Sequence, residues 1–228
     1  AHSGNSPEAE CKCLPQVRSK TSGLFPPMRA CEDSLLEYWY IMQIDQKIIE
    51  KIKNLSTPAI VAISGFGGSG KSTVANKLAE ILNAPVICVD QFGIDRTIES
   101  YTHWKGMDFE RLEKEILVPF YSGETPVRYG HWDHAANAIV KAVDVQHSGL
   151  LIIEGVGLFR PELAKYLTYK IWVDVPQDIA NARGKKRDRE VHKNPQDEKW
   201  DGQWKRNDEE YFNAYKPKEM ADIVIDNS

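Results

Sequence analysis

The chain has 228 residues, 42% of them hydrophobic, so it can bury one sizeable core or at most two modest ones. A formal net charge of -4 excludes a strongly basic protein that attracts nucleic acid or anionic membranes through its overall field. No apolar run reaches the roughly 18 residues that span a bilayer, and no signal peptide pattern begins the chain. We therefore predict a cytoplasmic protein with no nucleic-acid and no membrane partner.

Residues 1–32 are rich in Ser, Pro, Gly and charge and show no periodicity. We predict a flexible or non-native leader there. Cys11, Cys13 and Cys31 fall in this stretch, but no pair of further ligands stands at a spacing that completes a zinc site. Free thiols are the favoured interpretation.

Residues 33–57 are predicted to form one N-terminal helix that runs from Asp33 to about Leu55. Its apolar positions recur at helical spacing, and Asp33 or Ser34 is the expected cap. The periodic positions are Leu36, Tyr40, Ile44, Ile48, Ile52 and Leu55.

Residues 58–228 alternate short apolar runs with helical patterns. The runs are rich in β-branched residues and too short for buried helices, so they predict strands. Parallel strands joined by helical crossovers form a sheet that is covered on both faces, which predicts a doubly wound α/β domain. The predicted strands span 59–63, 86–89, 150–153, 169–173 and 223–225, and the predicted helices span 72–82, 108–119, 160–167 and 203–215.

Residues 91–148 exceed what one crossover requires and are rich in aromatic and histidine residues. We predict a substrate-binding insertion there. Residues 138–145 alternate like a strand and are expected to pair with residues 125–130. After the fourth strand, residues 183–202 are polar and basic and contain an Asn-Pro step, which predicts a mobile lid.

Residues 65–72 match the pattern G-x-x-x-x-G-K-[ST] between a predicted strand and a predicted helix. Glycines let backbone N–H groups approach a phosphate, and the helix N-terminus adds positive potential. Lys71 is expected on the β- and γ-phosphates and Ser72 on Mg²⁺, while the alternative is a Gly-rich turn with a surface lysine. The candidate nucleotide-binding residues are Gly65, Phe66, Gly67, Gly68, Ser69, Gly70, Lys71, Ser72 and Thr73.

Two acidic residues follow predicted strands at the edge where ligands bind in open α/β sheets. Asp90 can accept a hydroxyl proton, orient the attacking oxygen and contact the metal, or it can simply cap a turn. Glu154 is expected to hold Mg²⁺ through water, with simple solvation as the alternative. It is followed by Gly155, and the lack of an acidic pair argues against a dedicated ATPase.

A basic cluster in the predicted lid contains Arg183 and Arg187, which can stabilise charge on the transferred phosphoryl group. A solvated basic face is the alternative, above all for Lys185 and Lys186. Aromatic residues of the insertion can form a wall that stacks on a flat substrate, although core packing is the better interpretation of any single one. The candidate substrate residues are Phe92, Asp108, Arg128, Tyr129, His131 and Trp132.

These motifs, together with Val173-Asp174 and Ala221-Asp222, resemble the uridine kinase-like branch of the small-molecule P-loop kinases over roughly residues 58–228. The resemblance implies a five-stranded core of order 2-3-1-4-5, ATP and Mg²⁺ as cofactors, and transfer to a primary hydroxyl. It also implies metal contacts from Ser72, Asp90 and Glu154. The chain departs from the family at Ala180 and Gly184, where arginine is expected.

The sequence therefore predicts an ATP-dependent kinase acting on a hydroxyl of a small metabolite, with Asp90, Lys71, Arg183 and Arg187 in catalytic roles. A nucleoside is the first expectation, and pantothenate, a sugar phosphate or another small alcohol fits the same core. The alternative is a nucleotide-dependent switch or regulatory ATP-binding protein, which the N-terminal helix favours. Assembly into a homo-oligomer is left open.

Overall fold

The computed structural model describes residues 44–95 and 101–228. A five-stranded parallel sheet forms the centre, in the spatial order β2-β5-β1-β6-β7, and β3 and β4 form a separate antiparallel hairpin. In the numbering of the five core strands alone, this order is the 2-3-1-4-5 arrangement that the family resemblance implies. The strands are β1 (Ala59–Ser64), β2 (Val86–Cys88), β3 (Val127–Asp133), β4 (Ala138–Val145), β5 (Leu150–Glu154), β6 (Tyr169–Asp174) and β7 (Ile223–Asp226).

Helices cover both faces of the sheet, as expected for parallel strands joined by crossovers. A π-helical turn, Glu113–Leu117, joins α3 to α4, so the predicted helix over 108–119 is present with one widened turn. Within the described residues, no helix has both the length and the apolar character needed to cross a membrane. The helices are α1 (Gln46–Lys53), α2 (Lys71–Leu82), α3 (Phe109–Leu112), α4 (Val118–Tyr121), α5 (Gln177–Glu190), α6 (Asp197–Asp201), α7 (Gln203–Tyr215) and α8 (Pro217–Met220).

Strand β1 is buried along its whole length and divides the core in two. Ile60 and Ala62 belong to one apolar cluster, and Val61 and Ile63 belong to the other. This division follows from the pleat, since successive side chains of a strand point to opposite faces. The loops at the carboxyl edge of the sheet therefore extend from strands buried on both faces.

The N-terminal helix is shorter than predicted. Asp45 caps α1 by accepting a hydrogen bond from the Lys47 N–H at 2.8 Å, and residues 44–45 are not helical. A continuous helix from Asp33 is thus wrong, because an Asp cap starts a new helix at residue 46. The predicted leader, its cysteines and the predicted caps lie outside the described residues. The buried isoleucines of α1 pack into the core cluster that contains Val61.

The predicted helix over 160–167 is also wrong, since only a short 3₁₀ turn, Ala164–Tyr166, forms there. The buried Arg160 explains the difference. Its guanidinium donates to the Gly157 carbonyl at 2.8 Å and to the His103 carbonyl at 2.8 Å, and it lies 3.5 Å from the Phe109 ring centroid. These contacts favour a packed loop over a continuous helix.

Candidate functional site

The predicted phosphate loop connects β1 to α2. Gly68 and Gly70 adopt positive φ angles of 82° and 94°, which only glycine adopts without strain. Lys71 is buried, and its Nζ donates to the Phe66 carbonyl at 2.8 Å. The loop thus turns its backbone toward the N-terminus of α2, where unsatisfied N–H groups favour an anion.

Strand register brings the acidic candidates to this loop. Ile63 pairs with Glu154, and Cys88 pairs with Glu154 on the other side, so β1, β2 and β5 end at one edge. The Ser72 hydroxyl donates to Glu154 Oε1 at 3.0 Å. Burial raises the pKa of Glu154; Lys71 opposes this shift, and Asp90 adds to it. The predicted neighbours Ser72, Glu154 and Asp90 therefore share one electrostatic environment.

The oxygen atoms of Ser72 and Glu154 suit Mg²⁺, which prefers hard oxygen ligands. Within the described residues, no group of three His, Cys, Asp or Glu side chains is arranged to hold a metal ion. A Mg²⁺ ion here would therefore complete its coordination with phosphate and water oxygens, as is usual for Mg²⁺ beside nucleotides.

Asp90 lies in a 3₁₀ turn, Val89–Phe92, directly after β2, and its side chain is exposed. Two residues at the end of the hairpin's first strand contact this turn and the glycine that follows it. His134 Nε2 forms a 2.8 Å hydrogen bond with the Asp90 carbonyl, and the Trp132 indole packs against Gly93. The half-buried His131 precedes these contacts, and burial lowers its pKa. The structure thus places Trp132 beside the turn that carries Asp90, with His131 next to it in β3.

Four predicted substrate residues make structural contacts within the insertion. Phe92 is fully buried and stacks on Tyr129 at 5.1 Å between ring centroids, while the Tyr129 hydroxyl donates to Gln91. Arg128 points to the opposite face of β3 and pairs with Asp144 at 2.6 Å. The prediction of an aromatic wall is therefore wrong for Phe92 and Tyr129, because they fill the core under the hairpin.

The fourth of these residues, Asp108, caps a helix of the insertion. Its carboxylate accepts the Arg111 N–H at 2.9 Å and so caps α3. Arg111 then holds the hairpin, because its guanidinium donates to the Gly130 and Gln91 carbonyls at 3.0 and 3.2 Å. Asp108 therefore helps to hold the insertion through α3 and Arg111.

The basic cluster of the predicted lid lies on α5, which packs directly on the phosphate loop. A Cβ at Gly68 would collide with the Ala180 carbonyl, and a Cβ at Gly184 would collide with the Trp200 indole. A larger side chain at position 184 would therefore displace Trp200, which explains the absence of arginine there. At Ala180, which is fully buried, a long side chain has no room either.

Trp200 packs the predicted lid segment against the phosphate loop. Its ring is 3% exposed and stands 2.9 Å from the place of a Cβ on Gly67. Its indole N–H donates to the buried Asp188 at 2.7 Å. Arg187 pairs with the same carboxylate at 3.0 Å, and half of its side chain stays exposed.

Two side chains that the sequence analysis did not single out contact the loop. The Asn227 amide donates to the Ser69 carbonyl at 2.8 Å, and Arg183 donates to the Asn227 carbonyl at 2.6 Å. Asp208 accepts the Gly67 N–H at 3.0 Å and the Trp104 indole N–H at 2.8 Å. Burial raises the pKa of Asp208 to about 6, against the opposing charge of Lys71.

Comparison with known proteins shows the family of the chain. A family model described as AAA domain matches residues 61–212, which is more than half of the chain. The chain belongs to this family. The matched region of the AAA domain runs from β1 into α7, so it contains the phosphate loop, Asp90, Glu154 and the segment predicted to be a lid.

Curated relatives of this AAA domain protein include two uridine kinases. The protein of Clostridium novyi (strain NT) is 32% identical over 137 residues, which cover 54% of this chain and 64% of the relative. That of Ureaplasma parvum serovar 3 (strain ATCC 27815) is 24% identical over 147 residues, covering 55% and 66%. The chain thus spans a little less than two thirds of the length of these relatives. They confirm the resemblance to the uridine kinase-like branch of the P-loop kinases.

A solved structure shares the fold of the AAA domain chain. It is described as a possible uridine kinase from Bacillus stearothermophilus and is 19% identical, with a TM-score of 0.61. The alignment covers 79% of this chain and 96% of that one. This likeness confirms the predicted α/β architecture with a central parallel sheet.

Proposed function

We propose that the chain is an ATP-dependent kinase that phosphorylates a hydroxyl group of a small metabolite. The observation that carries this proposal is the hydrogen bond between Ser72 and Glu154 beside the phosphate loop, with the exposed Asp90 at the same sheet edge. A phosphate loop alone supports nucleotide binding. An exposed carboxylate next to it adds a group that can accept the proton of an alcohol.

In the proposed reaction, Asp90 accepts the proton of the acceptor hydroxyl. The acceptor oxygen forms a bond to the γ-phosphorus as the bond from that phosphorus to the β,γ-bridging oxygen breaks, and ADP leaves with the electron pair. Lys71 and the loop N–H groups stabilise the phosphates, and Arg183 and Arg187 add positive charge from the lid. Ser72 and Glu154 would hold Mg²⁺, which neutralises phosphate charge when it is bound.

A nucleoside is the acceptor that we propose to test first. The names of the curated relatives support a uridine-like acceptor. Trp132 and its neighbour His131 support it as well, because the half-buried Trp132 ring packs on Gly93 beside the Asp90 turn and aromatic rings suit a flat base. Pantothenate and sugar phosphates are the competing acceptors.

The test measures ADP release with Mg²⁺–ATP and a panel of nucleosides, pantothenate, sugars and sugar phosphates. We expect at least one acceptor to raise ADP release well above the background without acceptor. Asp90→Asn should reduce that rate by about 10²-fold to 10⁴-fold, the range of general-base catalysis, with the Kd of ATP within about threefold. Glu110→Gln, an exposed change on α3, is the control.

Two results would contradict this proposal. If no acceptor in the panel raises ADP release, the kinase proposal fails, and a nucleotide-dependent partner pull-down would then favour the switch alternative. If Asp90→Asn abolishes ATP binding, Asp90 serves the metal or the fold instead of the acceptor hydroxyl.

A further inference from the structure

Asp208 joins two parts of the site that are far apart in the chain. It lies on α7, and only 1% of the residue is exposed. Its Oδ2 accepts the Gly67 N–H at 3.0 Å, and its Oδ1 accepts the Trp104 indole N–H at 2.8 Å. Gly67 belongs to the phosphate loop, and Trp104 belongs to the insertion that holds the predicted substrate residues. One carboxylate therefore links the phosphate loop to the insertion.

The segment that carries Trp104, residues 101–107, is held in a strained conformation. His103 and Trp104 adopt φ angles of 52° and 58°, in the left-handed region, which is unfavourable for residues with a Cβ and persists only where surrounding contacts fix it. Asn207 supplies one such contact, because its Oδ1 accepts the Trp104 backbone N–H at 2.8 Å. Arg160 supplies another by donating to the His103 carbonyl at 2.8 Å. A segment fixed in this way can define the distance between the groups at its two ends.

The far end of this segment meets the turn that carries Asp90. The Ile94 N–H donates to the Gly106 carbonyl at 3.2 Å, and Gly93 and Met107 form an antiparallel bridge. Gly93 directly follows the 3₁₀ turn in which Asp90 lies. A connected path therefore runs from the phosphate loop through α7 and this segment to the carboxylate that serves as the base of the proposed reaction.

A carboxylate is the side chain that suits this link. Both of its oxygen atoms accept hydrogen bonds, whereas an amide of the same size offers one acceptor and one donor group. Burial of an ionisable group is unfavourable, and it raises the pKa of Asp208. An apolar side chain would fill this position without that penalty if packing were its only role. The chemistry thus favours a role in holding two N–H donors at a fixed separation.

We propose that Asp208 is a positioning residue, which fixes the Asp90 turn relative to the phosphate loop through its hydrogen bond with Trp104. The inference rests on the proposed function, because it takes the loop as the ATP site and Asp90 as the general base. The strands β1, β5 and β2 connect the same two groups through the sheet, and Asp208 adds a second connection outside it. Transfer requires the acceptor oxygen next to the γ-phosphorus, and a misplacement of about 1 Å can reduce a rate by about 10²-fold.

The decisive variant is Trp104→Phe, which keeps an aromatic ring and removes the N–H that donates to Asp208. With the full chain, we expect the kcat of acceptor-dependent ADP release to fall about tenfold or more, while the Kd of Mg²⁺–ATPγS stays within about threefold. A role in stability alone would lower the free energy of unfolding in urea and leave the kcat of the folded protein unchanged, and that result would overturn the inference. Glu209→Gln, a change at the exposed neighbour of Asp208, is the control and should leave both values unchanged.

Asp208→Asn tests whether the two residues act through one link. Asparagine has a single acceptor oxygen for two donors, so it cannot keep both hydrogen bonds. If one link carries the effect, the double variant Trp104→Phe/Asp208→Asn loses about as much kcat as the more impaired single variant. Losses that multiply in the double variant would show that the two residues act independently, which contradicts the inference.

Amide hydrogen exchange supplies a readout that needs no acceptor. In the wild type, we expect Mg²⁺–ATPγS to slow exchange in peptides covering residues 65–72 and 101–107, because a ligand stabilises the segments coupled to its site. In Trp104→Phe, the protection of residues 65–72 should remain and that of residues 101–107 should be lost. The inference is wrong if residues 101–107 gain no protection in the wild type or gain equal protection in both proteins.

Failure of the proposed function gives a different result. If the wild type binds no ATPγS, or if no acceptor raises ADP release, the proposed function fails and the inference fails with it. If both activities are present and Trp104→Phe changes neither kcat nor exchange, the proposed function stands and only the role of Asp208 is wrong. Should Trp104→Phe show no cooperative unfolding transition, Asp208→Asn alone serves for the same comparisons of kcat, Kd and exchange.

Discussion

The raised pKa of Asp208 predicts a stability difference between wild type and Asp208→Asn that changes with pH. The folded-state pKa is about 6, above the ordinary value of 3.8, since burial disfavours the charged form. The folded protein therefore holds this proton more tightly than the unfolded chain. The resulting stability is fully present below pH 3.8 and is lost as pH rises through 6.

The size of the effect follows from these two pKa values. Between pH 5 and pH 7.5, linkage removes roughly 1 kcal/mol of unfolding free energy from the wild type through this group. Asparagine does not titrate, so the variant lacks the loss. The stability of Asp208→Asn minus that of the wild type should therefore rise by roughly 1 kcal/mol between these pH values.

Urea unfolding of both proteins at pH 5 and pH 7.5, without nucleotide or Mg²⁺, measures this difference. The comparison cancels the contributions of other titrating groups, including Glu154, because both proteins contain them. A difference that stays constant with pH would show that Asp208 titrates at an ordinary pKa. A difference that falls as pH rises would show that the carboxylate is stabilised as an anion, and the argument from burial would be refuted.

Two further changes test the site and the lid. Glu154→Gln removes the charge beside Ser72, so we expect the Mg²⁺ concentration that half-saturates thermal stabilisation by ATP to rise about tenfold; an unchanged Mg²⁺ requirement would exclude Glu154 from the metal site. Gly184→Ala places a Cβ against the Trp200 ring, so we expect about 1–3 kcal/mol of destabilisation in chemical unfolding and a red shift of tryptophan emission. The direction of this change in unfolding free energy tests the contact with Trp200, because a Gly→Ala change in an exposed helix stabilises by about 1 kcal/mol.

The sheet and its carboxyl edge could be predicted from the sequence because each depends on local patterns. β-branched runs set the strands, and the glycines before Lys71 set the loop. Asp90 and Glu154 directly follow apolar strands, and parallel register then brings them together. In contrast, the start of α1 depends on a single cap at Asp45, which a continuous apolar periodicity conceals.

The errors in the substrate site arose from grouping aromatic residues by sequence segment. Val127 and Tyr129 are buried and Arg128 is exposed, so the period-two alternation of β3 separates them onto opposite faces. That alternation is visible in the sequence and predicts a core position for Tyr129. The spacing of Ala180 and Gly184 on one face of α5 likewise indicates a close backbone approach rather than a missing arginine.

Asp208 could not be predicted in this way. It lies beside Glu209 in a polar stretch of α7, and such a stretch predicts a solvent-exposed helix face. Its partner Trp104 is 104 residues away in the chain, and its other partner is a backbone N–H. Tertiary packing buries Asp208, so no local sequence pattern predicts its contact with the phosphate loop.

The packing of Trp200 against the phosphate loop gives the protein an intrinsic fluorescence reporter. The indole rests on Gly67 and Gly184, and its N–H ends on Asp188. Any displacement of α6 would uncover the phosphate loop and hydrate the indole in the same event. The chain has six tryptophans, so the difference in emission between the wild type and Trp200→Phe would isolate the signal of this ring and follow access to the loop.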